Sequence, residues 1–360
     1  MNEEVYRRLA ERLDQLAHGF PATEEGVELR LLAWLCSPEE AALAAELRLT
    51  LETPAEIAAR LGGNPESLRS QLKEMARRGL IKAGRAATGR GLGYGLLPFV
   101  VGIYEYQFNT IDAEMAQLFE SYYQKAFGRM LTLRPFVHRV IPVQEALTSP
   151  LEVRPFESAA DIVNNSLSWG VVDCLCRQQQ ALIGNPCNHP LDVCMVLSPV
   201  ADAFHPLSGI RLLTREQALA TLRRAAEAGL VHSVSNNQEG LWYICNCCAC
   251  ACGVLRGMAE LGVANVIARS AFVNQVDEAV CVGCGLCLDR CQFGALQLQD
   301  RVQVDPVRCV GCGVCALACP EGALVLVRRP DHEIEIPPLT EAAWQEQRAA
   351  ARGIDLERVR

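Results

Sequence analysis

The sequence predicts an α+β chain in three parts. Helices ending in a hairpin come first, then a mixed cysteine-rich middle, then a carboxy-terminal part of short strands and tight cysteine loops. Three observations carry this prediction. Capped amphipathic helices fill most of the first 80 residues and give way to a glycine-rich hairpin. Seventeen of the 18 cysteines fall in three groups, at residues 174–194, 245–252 and 281–319. The last group repeats with a period of 28 residues. The expected boundaries are 1–130, 131–270, 271–332 and a tail, 333–360.

Composition bounds the function. The 360 residues are 50% hydrophobic and 21% charged, with a formal net charge of -8. This is a soluble globular composition, not a basic nucleic-acid coat. The longest apolar stretch, residues 92–104, is broken by Gly and Pro and falls short of the about 20 residues a span requires. The start, MNEEVYRRLAERLDQ, has no apolar core of a secretory signal. Closely spaced C-x-C and C-x-x-C pairs make poor disulfide partners for each other. The expectation is a cytoplasmic chain whose crowded thiols bind metal.

Residues 1–20 read as a helix with Val5, Leu9, Leu13 and Leu16 on one stripe. A second helical block covers residues 27–49, with a break at Ser37-Pro38. Cys36 lies on it and is expected in the core. Thr53, Pro54 and Glu56 form a capping box over a helix that turns Ile57, Ala58 and Leu61 inward. Gly62-Gly63-Asn64 makes a turn. Pro65 opens a second helix with Leu68, Leu72 and Met75 inside, Gly79 stops it, and Leu80-Ile81 starts a strand of the hairpin. Two short helices, a tight turn and a hairpin resemble the winged helix-turn-helix superfamily.

DNA contact is a separate matter. Arg69, Lys73, Arg77 and Arg78 lie on the second helix and Arg85 and Arg90 on the wing, where phosphates could meet them. Residues 1–90, however, hold 13 basic and 14 acidic residues. A solvated charged face, or docking to protein, is favoured over DNA.

Met115, Leu118, Phe119, Tyr122, Tyr123 and Phe127 recur at helical spacing, as core or as a homodimer interface. Pro135, Pro142, Pro150 and Pro155 mark a linker-like passage. Residues 157–168 read as a helix, and 171–176 as a strand entering a loop. Thr214 and Gln217 cap a further helix that Gly229 stops. LWYICNC reads as a strand. The tail sequence LTEAAWQEQRAAARG is expected to be a polar docking helix.

The sharpest signal is Cys281-x2-Cys284-x2-Cys287-x3-Cys291, followed by Cys309-x2-Cys312-x2-Cys315-x3-Cys319-Pro320. A cubane needs four thiolates at tetrahedral corners, and three cysteines spaced by two residues wrap one face of it. Gly283, Gly285, Gly311 and Gly313 permit the bends. Structural zinc uses paired C-x-x-C knuckles and does not need this triple run. Each run leads into a short apolar strand, beginning at Ala295 and Ala323. Residues 274–330 resemble the bacterial two-cluster ferredoxins. The resemblance implies a ferredoxin-like two-cluster domain with two 4Fe-4S clusters. It implies Cys281, Cys284, Cys287 and Cys319 on cluster I, and Cys309, Cys312, Cys315 and Cys291 on cluster II, because the fourth cysteine of each run ligates the other cluster. Gln292 stands where that family usually has Pro, which loosens one turn and removes no ligand.

Nine more cysteines are candidate ligands. Cys174, Cys176, Cys187 and Cys194 form a set of four that could hold a third cluster, with zinc or free thiols as lesser alternatives. Arg177 could neutralise a thiolate there. His189 is an alternative ligand, though a loop histidine beside Pro is more often simply exposed. Cys245, Cys247, Cys248, Cys250 and Cys252 put five thiols in eight residues, too close together for all to reach one cubane. They share ligand duty with the first set, hold their own cluster, or form a redox-active thiol set. One or two further clusters are expected in all.

From the helix-turn-helix through CLCR, EAGLVHSVSN and YICNCCACACG to the two runs, the chain is similar to dicluster ferredoxin-type proteins with an amino-terminal helix-turn-helix. That similarity implies electron transfer in anaerobic metabolism with a redox protein partner. Two alternatives stand beside it: a redox- or iron-sensing DNA-binding regulator, and an oxidoreductase subunit with a catalytic cluster in the middle region. There is no Walker A run, no recognisable triad, and no G-x-G-x-x-G opening a helix; GRGLGYG at residues 89–95 sits in the hairpin. No catalytic residue is named.

Overall fold

The computed structural model describes residues 3–147, 153–204, 209–260 and 265–360. Pro150 lies outside them. The chain divides into two compact units, residues 1–130 with 345–360, and residues 131–344. The stretches expected at 131–270 and 271–332 thus lie within one unit, and the expected tail is divided between the two.

The first unit begins with α1 (Glu3–Asp14), α2 (Val27–Leu35) and α3 (Pro38–Ala45). The break at Ser37 is a capping box closed with Glu40. Tyr6, Leu9, Leu13 and Leu16 are buried, while Val5 is half-buried. Cys36 is a core residue whose thiol donates to Leu32 O. Thr53 and Glu56 form the expected box on α4 (Pro54–Leu61). Asn64 caps α5 (Pro65–Arg77) by accepting from the amides of Glu66 and Ser67.

Ile57, Ala58, Leu72 and Met75 are buried. Leu68 is only half-buried, and Leu61 is 37% exposed, not inward. Leu61 is the last residue of α4, where Gly62 turns the chain away at φ 79°. The antiparallel hairpin pairs β1 (Lys82–Arg85) with β2 (Leu92–Gly95). It starts at Lys82 because Leu80 and Ile81 are buried in the turn before it.

The aromatic stripe fills the core of this unit. Met115, Phe119 and Tyr122 on α6 (Ala113–Tyr122) are buried, and so are Tyr123 and Phe127 beyond it. Tyr104 stacks on Phe119 at 3.7 Å, and Phe20 packs 4.7 Å from Phe99. A short helix, α7 (Gly128–Met130), follows. The carboxy-terminal residues are not a solvated docking segment. Arg348 is fully buried and donates to Ala17 O and Met130 O, and Arg352 pairs with Asp14. Main-chain carbonyls at helix ends need donors, and Arg348 supplies two.

The second unit is built on a six-stranded antiparallel sheet of β3 (His138–Val140), β4 (Ser168–Val172), β5 (Cys194–Ser198), β6 (Arg211–Leu213), β7 (Val231–Ser235) and β8 (Tyr243–Cys247). Its order is β3-β7-β8-β5-β4-β6. Between the strands lie α8 (Ala159–Asn164), α9 (Leu175–Leu182) and α10 (Arg215–Glu227). Ile162, Val163, Ala218 and Leu222 of α8 and α10 pack on Met195, Leu197, Val234 and Ile244 of the sheet. Thr214 and Gln217 form the expected box, and Gly229 stops the chain at φ 84°.

Two expectations need correction here. The helix expected at 157–168 is shorter, because Ser168 already belongs to β4. The strand expected at 171–176 ends at Val172, and Cys176 lies on α9. Leu, Arg, Gln and Ala in LCRQQQAL are strong helix formers.

The rest of the unit holds α11 (Gly253–Glu260), β9 (Phe272–Val276), β10 (Leu296–Leu298), β11 (Val302–Val304), α12 (Val314–Leu317), β12 (Leu324–Arg328) and the start of α13 (Glu341–Arg352). β9 pairs antiparallel with β12, and β10 with β11. Among the described residues no helix is long and apolar enough to cross a membrane.

Candidate metal centre

The two cysteine runs hang from these ribbons. β10 and β12 are the apolar strands expected after each run. Gly283, Gly285, Gly311 and Gly313 all have φ between 70° and 79°, a region glycine enters without steric cost. At Gly311 the requirement is strict, because a Cβ there would stand 2.0 Å from Phe272 O.

The structure brings the eight thiols into two groups. Cys287 lies among Cys281, Cys284 and Cys319. These four line one pocket together with Val282, Leu286, Val302 and Leu324. Cys312 lies among Cys309 and Cys291, and Cys315 lies beside all three. Each group therefore contains the fourth cysteine of the other run. The amide of Ala295 donates to Cys291 Sγ at 3.3 Å, and that of Ala323 to Cys319 Sγ at 3.3 Å. The same contact thus recurs 28 residues on. Asn274 Nδ2 donates to Cys315 Sγ at 3.2 Å.

Electrostatics fit a cationic guest. Burial and the neighbouring Cys309 and Cys291 thiols push Cys312 up to about 12. Burial, then Cys312, Cys291 and Cys309, push Cys315 up as well. Such a set becomes four thiolates only when a metal centre offsets their mutual repulsion. Cys281 is shifted the other way: the amides of Val302 and Gly283 hold it below the usual thiol range. The donor set and the apolar lining fit a cubane.

Gln292 has a place of its own. Its Oε1 accepts from the amide of Ala249 and its Nε2 donates to Gly229 O. Proline could do neither. Arg290 Nη1 adds a bond to Glu227 O at 3.3 Å. The departure from the ferredoxin pattern therefore ties the cysteine ribbon to the middle sheet.

The nine middle cysteines divide differently from the sequence grouping. In an antiparallel sheet, the end of β4, the start of β5 and the end of β8 meet at one edge. Val172 pairs with Cys194, and Met195 with Ile244. Cys174, Cys176, Cys194, Cys245, Cys247 and Cys252 gather there. Cys174 is hydrogen-bonded with Cys176 and Cys194, Cys176 with Cys252, and Cys247 with Cys245 and Cys252. Cys174, Cys247 and Cys252 are buried; the other three are half-buried. Ser233 Oγ stands 3.5 Å from Cys247 Sγ.

Cys187 is not in that group. It lies with Cys248, Cys250 and His189, and their four ligand atoms all fall within 4.8 Å of one another. His189 is half-buried and points Nδ1 at Cys250, so it is not the simply exposed loop histidine of the sequence expectation. Burial, then Arg177 and Arg290, lower its pKa and favour the neutral imidazole.

Arg177 is 2% exposed and lies beside both groups. It donates to Pro190 O at 2.9 Å and Asn246 O at 2.6 Å. Burial opposes its charge, while the Cys174, Cys248 and Cys194 thiols favour it.

The comparisons with known proteins bear on one part of this site. Residues 280–323 match the family model of the 4Fe-4S dicluster domain. The carboxy-terminal part of the second unit is thus an iron–sulfur, ferredoxin-like domain. No curated protein and no solved structure matches the chain.

Proposed function

We propose that the chain is an iron–sulfur electron-transfer protein that exchanges electrons with an oxidoreductase partner. Cys281, Cys284, Cys287 and Cys319 ligate one 4Fe-4S cluster, and Cys309, Cys312, Cys315 and Cys291 ligate the second. The observation that carries this reading is the sorting of eight thiols into two groups, each completed by the other run's fourth cysteine. A bound cubane supplies reversible one-electron exchange. The protein holds four thiolates at each site, donates amides to their sulfurs, and keeps an apolar wall around them. Such donors and such a wall set potential.

The six-thiol group at the sheet edge holds a further cluster. Six thiols exceed the four a cubane takes. Every iron can therefore be capped by sulfur, which supports relay over substrate catalysis.

We read residues 53–95 as a winged helix that docks protein. Two of its basic residues are already engaged. Arg77 pairs with Glu74 at 2.6 Å and Arg78 with Glu40 at 2.7 Å. Phosphate binding would compete with both pairs. Salt-dependent DNA binding by the full chain would overturn this docking role.

Iron and acid-labile sulfide per chain test the ligand sets. Anaerobically purified protein should hold about twelve irons, eight of them in the dicluster domain. Cys284→Ala combined with Cys319→Ala should cost no more iron than either change alone. Cys291→Ala combined with Cys319→Ala should cost about twice as much. If Cys319 instead behaves as a partner of Cys309, the crossed assignment fails.

A further inference from the structure

We infer that Cys187, His189, Cys248 and Cys250 form a mononuclear zinc site, separate from the thiols assigned to clusters. The geometry decides between zinc and a cubane. The four donor atoms lie within 4.8 Å of one another, and Cys250 Sγ is 3.7 Å from His189 Nδ1. Tetrahedral zinc, at about 2.3 Å from sulfur and about 2.0 Å from nitrogen, sets its donors about 3.5–3.8 Å apart. A cubane holds its thiolates farther apart, because each caps a different iron. Three thiolates and one imidazole make a closed structural zinc set. Their softness excludes magnesium and calcium.

The charge also closes. Three thiolates and Zn²⁺ leave a net charge of about -1. Arg177, buried beside Cys248, supplies the opposite charge. Its two carbonyl bonds hold the loop at Pro190 and β8 at Asn246, the two strands of chain that carry the ligands.

The site has a structural task. Residues 183–193 link α9 to β5 without regular secondary structure, and only Val193 among them is fully buried. Such a loop has little hydrophobic burial to fix it. Zinc pins it to the turn after β8, and so places Cys194 at the start of β5 and Cys252 beyond the turn. Both belong to the six-thiol group.

The test uses the full-length protein, purified anaerobically and passed through EDTA. About one zinc per chain should remain, and its X-ray absorption should show three sulfurs at about 2.3 Å and one nitrogen at about 2.0 Å. His189→Cys should keep the zinc and convert the shell to four sulfurs. Cys250→Ser should lose zinc and leave iron and sulfide unchanged. Several results would overturn the site. They are no zinc after EDTA, mononuclear iron in that shell, an unchanged shell in His189→Cys, or iron lost together with Cys250. Zinc equal in the wild type and in a Cys187→Ser, Cys250→Ser double variant would mean an adventitious ion only. If Cys250→Ser fails to fold, the change of shell in His189→Cys still decides.

Discussion

Replacing Gln292 by Ala should loosen the joint between the dicluster ribbon and the middle sheet without touching a ligand. The side chain makes two bonds across that joint, one from the Ala249 amide and one to Gly229 O. Each neutral hydrogen bond contributes about 1 kcal/mol net, so the pair contributes about 2 kcal/mol, or roughly thirty-fold in a local opening equilibrium. The Ala249 amide is only part-buried, so water can replace its lost partner and the desolvation penalty stays small. Arg290 still reaches Glu227 O, which keeps the ribbon in place. Amide hydrogen exchange resolves the effect. Peptides spanning residues 245–252 should exchange ten- to hundred-fold faster at Ala249, while iron content holds. Gln292→Pro should give the same acceleration, because it restores the turn residue of the ferredoxins and still breaks the clasp. Unchanged exchange in both variants would refute the joint. Loss of iron in Gln292→Ala would mean that the residue supports Cys291 instead.

Two glycines of the cysteine runs should respond unequally. Gly311→Ala places a Cβ 2.0 Å from Phe272 O in a left-handed conformation, while Gly285→Ala meets nothing closer than 3.4 Å. Gly285→Ala should therefore cost only the left-handed penalty of about 1–2 kcal/mol and keep its iron, whereas Gly311→Ala should lose about four irons. His138 is buried, and burial lowers its pKa from 6.5 to about 4. Between those values the unfolded chain takes up a proton that the folded chain refuses, so stability falls as pH drops through the window. From pH 7 to pH 5 the loss is about 2 kcal/mol, and His138→Gln should remove that share of the slope in urea unfolding. His232, also lowered by burial, keeps the remainder. Arg348→Met strands two buried-end carbonyls, at Ala17 and Met130, and should destabilise the first unit by about 2–4 kcal/mol, read as a shift in its urea midpoint.

What the sequence disclosed follows from the range of the chemistry. The capping boxes at Thr53 and Thr214 depend on residues three apart, and both form as the spacing suggests, while the break expected at Ser37 holds a third box that the sequence reading did not name. The dicluster repeat is also local: its glycines and spacings decide the bends, and a 28-residue echo marks the second half. The middle thiols depend on strand order, which no local pattern encodes. Cys187 and Cys194 stand seven residues apart yet serve different groups, because β5 carries Cys194 between β4 and β8. One signal was available in the period of a strand. Cys245 and Cys247 alternate onto one face of β8, and Cys248, the next residue, leaves for the other group. His189 needed the third dimension, since only the turn at Cys250 brings it a partner. Leu61 was misplaced for a simpler reason: helical periodicity says which face a residue occupies, but not that the helix ends there.

The turn at residues 247–252 serves both middle groups, one nested inside the other. Cys247 and Cys252 face the six thiols, while Cys248 and Cys250 face His189 and Cys187. Ala249, between the last two ligands, is also where Gln292 grips. A redox centre at Cys248 and Cys250 would change its charge with every electron, and with it the strength of the bonds around that grip. Zinc has no redox chemistry. A zinc ion there keeps the charge constant and the joint fixed while electrons pass elsewhere. The six-thiol group, whose Cys247 and Cys252 flank the proposed zinc ligands, then keeps a constant position relative to Cys291. On the proposed assignment, this requirement explains why a histidine-bearing, mononuclear set would sit between the six-thiol group and the dicluster ribbon.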